Sequence, residues 1–280
     1  MLPPVSLLEE FPQLKIIQEL ARVQKVKIHL VGGFLRNHFF KEARSLMGER
    51  VESIDFDFAV SRDALKVTRL FARRIRGAFV LLDQERGCGR VVKKEKQRTL
   101  IFDFADFRAK TLRGDLAHRD FTINALCVDV QNLRKITDLS QILPDFKRSA
   151  RDLKAKIIRM VSVGSFKEDP LRLMRAFSLK AAFDLKIESK TLKRIKQDKD
   201  LLKSVSSERV RDELFKILAS PRAAENLKAM DRIGILSVVI PQIRVMYDVP
   251  QGGYHHLDVW PHSLETVRQM ERVFRELKGQ

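Results

Sequence analysis

The sequence predicts an α/β head followed by an all-helical remainder, and three features predict it. Residues 1–145 mix strand-like alternation with helical periodicity. Pro144 and the charged run "DFKRSARDLKAK" mark a change of character. Beyond that run glycine is sparse until Gly234, and helical periodicity dominates.

Taken in order, a helix over 12–24 puts Leu14, Ile17, Leu20 and Ala21 on one face. "KIHLV" (27–31) reads as a buried strand, which Gly32-Gly33 ends before a helix from about Phe34. "SIDFDFAV" (53–60) alternates cleanly and is a strand with two different faces. "ALKVTRLFARRI" (64–75) is helical, and "AFVLLD", "GRVVKK" and "TLIFDFADF" follow as strands. "FTINALCVDV" begins as a helical turn and finishes as a strand. Later helices are expected at about 170–183, 189–203, 207–219, 222–233 and 263–278. No repeat or low-complexity tract interrupts them.

With 280 residues, 44% of them hydrophobic, the chain can bury a core, which excludes global disorder. Its formal charge of +18 suggests a polyanionic partner, nucleic acid before anionic membrane. A merely basic soluble protein is the plainer alternative. Cys88 and Cys127 form neither a disulfide framework nor a metal-ligand spacing, which fits a reducing compartment. No apolar run approaches the roughly 18 residues of a membrane span, and the N-terminus has no signal-peptide pattern. The expected location is the cytoplasm, with no membrane association.

Asp55 and Asp57 lie two residues apart on a strand, so both carboxylates project from one face while Phe56 and Phe58 point into a core. Neighbouring carboxylates repel unless a cation sits between them. Mg²⁺ suits such oxygen ligands and joins carboxylates to substrate phosphates. Two such ions about 3.5–4 Å apart activate an attacking hydroxyl and stabilise a leaving oxygen. A lone Asp-x-Asp is more often a polar strand face. Asp103 on another strand supplies a third acid and is the expected third ligand, with Asp106 facing oppositely if alternation persists through Ala105; a bulge would reverse that choice. Gly32 and Gly33, between strand and helix, let backbone N–H groups approach a phosphate, and Arg36 adds a charge-assisted contact. A lone Gly-Gly is a tight turn more often than a phosphate site, and the Asp-x-Asp about twenty residues later makes the pattern specific.

"GGFLRN", "DFDFAV", "HRDFTINAL", "EDPLRLMRAF" and "SERVRDELFKIL", in this order, resemble the class II tRNA nucleotidyltransferase/poly(A) polymerase family. The resemblance spans 32–218. It implies a nucleotidyltransferase head with a mixed β-sheet and flanking helices over 1–145, followed by all-α domains. These are a helical neck with a base-selecting pocket over 146–220 and a helical body with the start of an incomplete HD-like region over 221–280. It implies Mg²⁺-dependent, template-free addition of CMP and/or AMP, from CTP and ATP, to a tRNA 3′ end. Carried over by position, Gly32, Gly33, Arg36 and Arg119 meet the nucleotide, and Asp55 and Asp57 hold the metal; the catalytic acids are then these two with Asp103 of the strand reading. Asp169 and Arg172 read the base, with Arg175 on the same helical face. Asp120 is expected to orient Arg119. Asn124 either bonds a ribose hydroxyl or caps the local turn. Arg209 and Arg211 either brace the pocket or pair with Glu208 and Glu213.

The chain departs from the family pattern at Asn37, where an Asp is usual, at His118, the first residue of a usual Arg-Arg-Asp, and at Ser178, where many members have arginine and Lys180 stands nearby. "GGYHHLDVWPHSLETV" (252–267) resembles the opening of an HD-type domain, but no His or Asp follows His262, so a hydrolase site is incomplete. His255 and His256 then read as loop or packing residues. The chain stops at Gln280 on a predicted helix, as a truncated piece or a member without a tail would. A bacterial poly(A) polymerase shares these motifs and is the nearest alternative, although "FARRIRGAFVLLDQERGCGRVV" looks more like the tRNA-directed enzymes. A catalytically silent RNA-binding protein on the same scaffold is the alternative from another class.

Overall fold

Strands β2 (Ser53–Val60) and β5 (Thr99–Asp106) run parallel and in register from Ser53↔Thr99 to Val60↔Asp106. They form the centre of a six-stranded sheet in a computed structural model that describes residues 7–40, 53–135, 148–253 and 256–278. The sheet order is β3-β4-β5-β2-β1-β6, where β1 is Ile28–Val31, β3 Ala78–Asp83, β4 Cys88–Lys94 and β6 Cys127–Asp129. Every pairing except β2–β5 is antiparallel, so the sheet is mixed. The chain divides into two compact units, Met1–Ala155 and Lys156–Gln280. The expected head–neck boundary at 145/146 and His255 lie outside the described residues.

In the first unit, strict alternation gives the central strands one aromatic face. Phe56 stacks on Phe102 with centroids 5.0 Å apart, and Phe58 on Phe104 at 4.8 Å. Helices α1 (Leu7–Glu10), α2 (Gln13–Val23), α3 (Gly33–Phe39) and α4 (Ala64–Ile75) contribute apolar side chains to this core. Phe71 of α4 meets Phe102 and Phe104 edge-on, and Phe11 meets Phe56. Fully burying one such ring stabilises by roughly 1.5–3 kcal/mol, which is why the opposite face can be given to charge. Two further short helices belong to the unit: α5 (Leu112–Ala117), whose N-cap Thr111 accepts from Gly114 N–H, and α6 (Ser149–Lys154). α6 is held to the head by Thr122 Oγ1, which donates to buried Asp152 at 2.8 Å.

Among its described residues the second unit has helical regular structure apart from the two-residue parallel pair β7 (Ile157–Ile158) and β8 (Lys186–Ile187). Its helices are α7 (Ser165–Glu168), α8 (Arg172–Phe183), α9 (Ser189–Asp198), α10 (Ser207–Leu218), α11 (Ala223–Arg232), α12 (Leu236–Val239) and α13 (Val259–Lys278). The expected continuous helix from 170 begins instead at Arg172, because Pro170 drives Asp169 out of the helical region, to φ −148° and ψ 100°. The helix expected at 263–278 starts earlier, at Val259, with Pro261 tolerated in its first turn. Asp231 fixes the start of α13 by accepting from Trp260 Nε1 at 2.9 Å and from the Tyr247 hydroxyl. Among the described residues no helix is long and apolar enough to cross a membrane.

Candidate active site

The face of the sheet opposite the phenylalanines carries the acids. Asp55 and Asp57 project from β2, and Asp103 stands directly beside Asp57 on β5. Ala105 keeps the alternation, so Asp106 faces the core side, where its Oδ1 accepts from Ala64 N–H at 2.9 Å and starts α4. Burial first, then the charge of Asp103, push the Asp55 carboxyl above its ordinary range, against the pull of Arg90. Arg90 comes from β4, paired in register with Asp103, and forks that carboxylate: Nε to Oδ1 at 2.7 Å and Nη2 to Oδ2 at 2.8 Å.

Gly32 follows β1 with φ +81°, a conformation L side chains rarely adopt. A Cβ there would also lie 3.1 Å from Asp57 Oδ2 and 3.3 Å from Arg119 Nη1. Glycine therefore lets bare backbone, a carboxylate and a guanidinium converge. Arg36 lies over Gly33, with its Nη2 3.4 Å from where a Cβ would stand, an ordinary contact distance. Arg36 is only 8% exposed and donates to Asn37 Oδ1 from Nε at 3.1 Å and Nη2 at 2.9 Å, and to Asn124 Oδ1 from Nη1. Asn37, in the position of the family's acid, keeps the acceptor role without the charge. Asn124 in turn donates to both oxygens of buried Asp120, at 3.0 and 3.1 Å. Asp120 thus orients Asn124 and, through it, Arg36. The expected pairing of Asp120 with Arg119 is not formed, and the acid beside Arg119 is Asp115, 3.9 Å from Nη2. Arg119 Nε and Asp115 Oδ2 are both buried without a hydrogen-bond partner.

In the second unit Asp169 sits at the break between α7 and α8. It accepts from Leu171 N–H at 3.3 Å and pairs with Arg209 Nη2 at 3.1 Å. Arg172, at the start of α8, donates from Nη1 to the Ser165 carbonyl and hydroxyl, both at 3.0 Å. Arg175 follows on α8, half-buried. Arg209 braces Asp169 rather than pairing along its own helix, whereas Arg211 pairs with Asp212. Ser178 donates to Glu213, and Lys180 is held by Glu225 and Asn226, which ties α8 to α11.

Among the described residues no three His, Cys, Asp or Glu side chains gather as a metal site. Among the described residues the expected cation ligands Asp55 and Asp57 lie on one strand face, with Asp103 on the neighbouring strand. Two carboxylates fit a hard divalent ion whose remaining ligands are water and substrate phosphate. Sequence reasoning missed Arg90, Asp115 and the Asn37–Arg36–Asn124–Asp120 relay. For Arg90 the signal was the alternation of "GRVV", which puts Arg90 and Val91 on opposite faces of one strand.

A family model described as the poly A polymerase head domain matches residues 28–159, and one described as a probable RNA and SrmB-binding site of polymerase A matches 184–246. The chain is 35% identical over 246 residues to an A-adding tRNA nucleotidyltransferase of Deinococcus radiodurans, covering 86% of this chain and 51% of that protein. It is 36% identical over 247 residues to a CC-adding tRNA nucleotidyltransferase of Geobacter sulfurreducens, covering 88% and 53%. The Thermotoga maritima CCA-adding enzyme complexed with tRNA superposes with a TM-score of 0.70 at 26% identity, over 85% of this chain and 53% of that one. A CCA-adding enzyme in complex with ATP gives a TM-score of 0.70 at 25% identity, over 95% and 57%. The chain spans about half the length of the curated relatives it matches.

Proposed function

The chain belongs to the tRNA nucleotidyltransferase and poly(A) polymerase family, and from that premise we propose that it adds CMP, AMP or both to the 3′ end of tRNA without a template. The observation that carries the proposal is the juxtaposition of Asp55, Asp57 and Asp103 on one sheet face beside Gly32 and Arg119. The similarity to both CC-adding and A-adding enzymes supports the substrates CTP and ATP and a tRNA partner. The cytoplasm is the compartment where such a substrate is met.

In this reading the 3′ hydroxyl oxygen attacks the α-phosphorus of the incoming nucleotide, the bond to the β-phosphate breaks and pyrophosphate leaves. Family members use a divalent metal; Mg²⁺ held by Asp55 and Asp57 would supply charge for the attacking and leaving oxygens. Asp103, beside Asp57, accepts the proton of the attacking hydroxyl. The bare backbone at Gly32 and Gly33 admits the triphosphate, and Arg119, with a buried donor lacking a partner, bonds it. Arg36, fixed by Asn37 and Asn124, adds positive charge from a set position. Asp169 and Arg172 meet the base edge, and Arg175 lies on the same helix.

The test uses tRNAs ending before CCA, after C and after CC, each incubated with each of the four nucleotides. Addition of C, A or both at the matching end supports the reading. Unlimited A addition to any RNA 3′ end would instead assign a poly(A) polymerase, and no labelling by any nucleotide would leave an RNA-binding protein.

A further inference from the structure

A row of in-register partners crosses the acid face of the sheet: Asp57 on β2, Asp103 on β5, Arg90 on β4 and Val80 on β3. Arg90 is locked into that row from both sides. Val91, next along β4, is fully buried opposite Phe102. Gly89, before it, lies so close to the core that a Cβ would come within 3.1 Å of Thr68 and 3.2 Å of Leu65 and Phe79. The strand cannot rotate or slip without moving these groups, so Arg90 is aimed at Asp103 by the backbone itself. Both oxygens of Asp103 then receive one N–H each, the planar match that a guanidinium makes and an ammonium does not. The pair is part-exposed, with side chains 38% and 27% accessible, at the edge of the candidate cation site.

We propose that Arg90 is a positioning residue for nucleotide transfer, which holds Asp103 away from the divalent cation and cancels one of the three negative charges of the acid cluster. This rests on the proposed transferase reading and deepens it. Three carboxylates with no counter-charge would carry −3 and could all close around one cation. With Arg90 the cluster carries −2, which a single divalent ion neutralises. Asp55 and Asp57 then form the whole protein share of the cation site, while Asp103 is kept in a fixed orientation for the attacking hydroxyl. The bond to Asp103, supported by the charges of Asp103, Asp55 and Asp57, outweighs burial and raises the guanidinium pKa, so Arg90 stays charged.

The experiment measures Mn²⁺ binding to the free protein by electron paramagnetic resonance, without nucleotide or RNA, beside kcat for CMP or AMP addition. Arg90→Met should bind Mn²⁺ about tenfold more tightly, because a unit charge near the ion is gone and Asp103 is released toward it. Its kcat should fall at least tenfold. Arg90→Lys keeps the charge without the fork, so Mn²⁺ affinity should stay within about threefold of the original while kcat remains low. Arg90→Gln provides a second neutral variant should Arg90→Met fail to fold, and should show the same tightening. Unchanged or weaker Mn²⁺ binding in the neutral variants, or full turnover in Arg90→Lys, would overturn the role of Arg90 while leaving the transferase reading intact. A parent protein that binds no Mn²⁺ and adds no nucleotide would overturn both.

Discussion

Asp57 and Asp103 are register partners on parallel strands, so their carboxylates share one sheet face, while Asp106, three residues beyond Asp103, turns to the other. Two acids of similar sequence context therefore have separable effects. Asp55→Ala and Asp57→Ala should each leave at most a few per cent of turnover with the fold intact, because each removes a cation ligand. Asp103→Asn removes the proton acceptor and should lower kcat by about 10²-fold or more. Asp106→Ala should spare turnover and lower stability by about 1 kcal/mol, the effect of losing an N-terminal cap on α4. Parallel assays of kcat and thermal unfolding check this, and loss of turnover on changing Asp106 alone would contradict it.

Asp55→Asn should show a trade between activity and stability that depends on pH. Burial and Asp103 raise the Asp55 carboxyl, so the folded state holds that proton more tightly than the unfolded state. The associated stability is fully present below the ordinary carboxylate pKa and is lost as pH rises through the raised value. The Asn variant has no such loss. Its Tm relative to the parent should therefore increase from acidic to neutral pH, while addition is abolished. A constant Tm difference across that range would contradict the sign.

Arg36 depends on a relay that ends at a buried acid. Asn124→Ala removes the acceptor of Arg36 Nη1 and the amide that donates to both oxygens of Asp120, which destabilises by roughly 1–3 kcal/mol. The KM values for all nucleotides should rise together, since the relay carries charge to a common triphosphate and touches no base. Selective loss of one nucleotide would place Asn124 at the base or ribose instead.

RNA affinity should fall steeply with salt, because a chain of charge +18 that neutralises several phosphates must release their counterions. Between ~50 and ~200 mM monovalent salt a loss on the order of 10³-fold is expected. A nearly flat dependence in filter binding would mean that the positive charge is not a binding surface.

What could be read from the sequence was what periodicity carries. β2 at 53–60 and α4 at 64–75 match their expected bounds, because strict alternation and a clear amphipathic stripe leave no competing reading. The acid face of β2 and β5 was legible for the same reason. The short helices at 112–117 and 149–154 and the pair β7–β8 were not, since elements this short are held by tertiary bonds such as Thr122–Asp152. The break at Asp169 was signalled by Pro170 but lost beneath the longer helical pattern. Arg90 and Asp115 were missed because their roles depend on which strands and helices become neighbours, and no local pattern contains that. Asn37 departs from the family pattern, yet its amide oxygen accepts from Arg36 as a carboxylate would.

The central claim is that protein side chains, not a template strand, select the base for a metal-dependent transfer. ATP and CTP share an exocyclic amino donor beside a ring-nitrogen acceptor, and UTP and GTP reverse that order. An ionised Asp169 only accepts and Arg172 only donates, so together they match A and C. A mismatched base leaves each contact unmade at about 1–3 kcal/mol, and Arg209, paired with Asp169, holds that carboxylate in place. The decisive measurement is kcat/KM for ATP, CTP, UTP and GTP in the parent, Asp169→Ala and Arg36→Ala. Asp169→Ala should lose at least tenfold of its discrimination against UTP and GTP, and Arg36→Ala should weaken all four nucleotides alike. An unchanged base preference in Asp169→Ala would contradict the account.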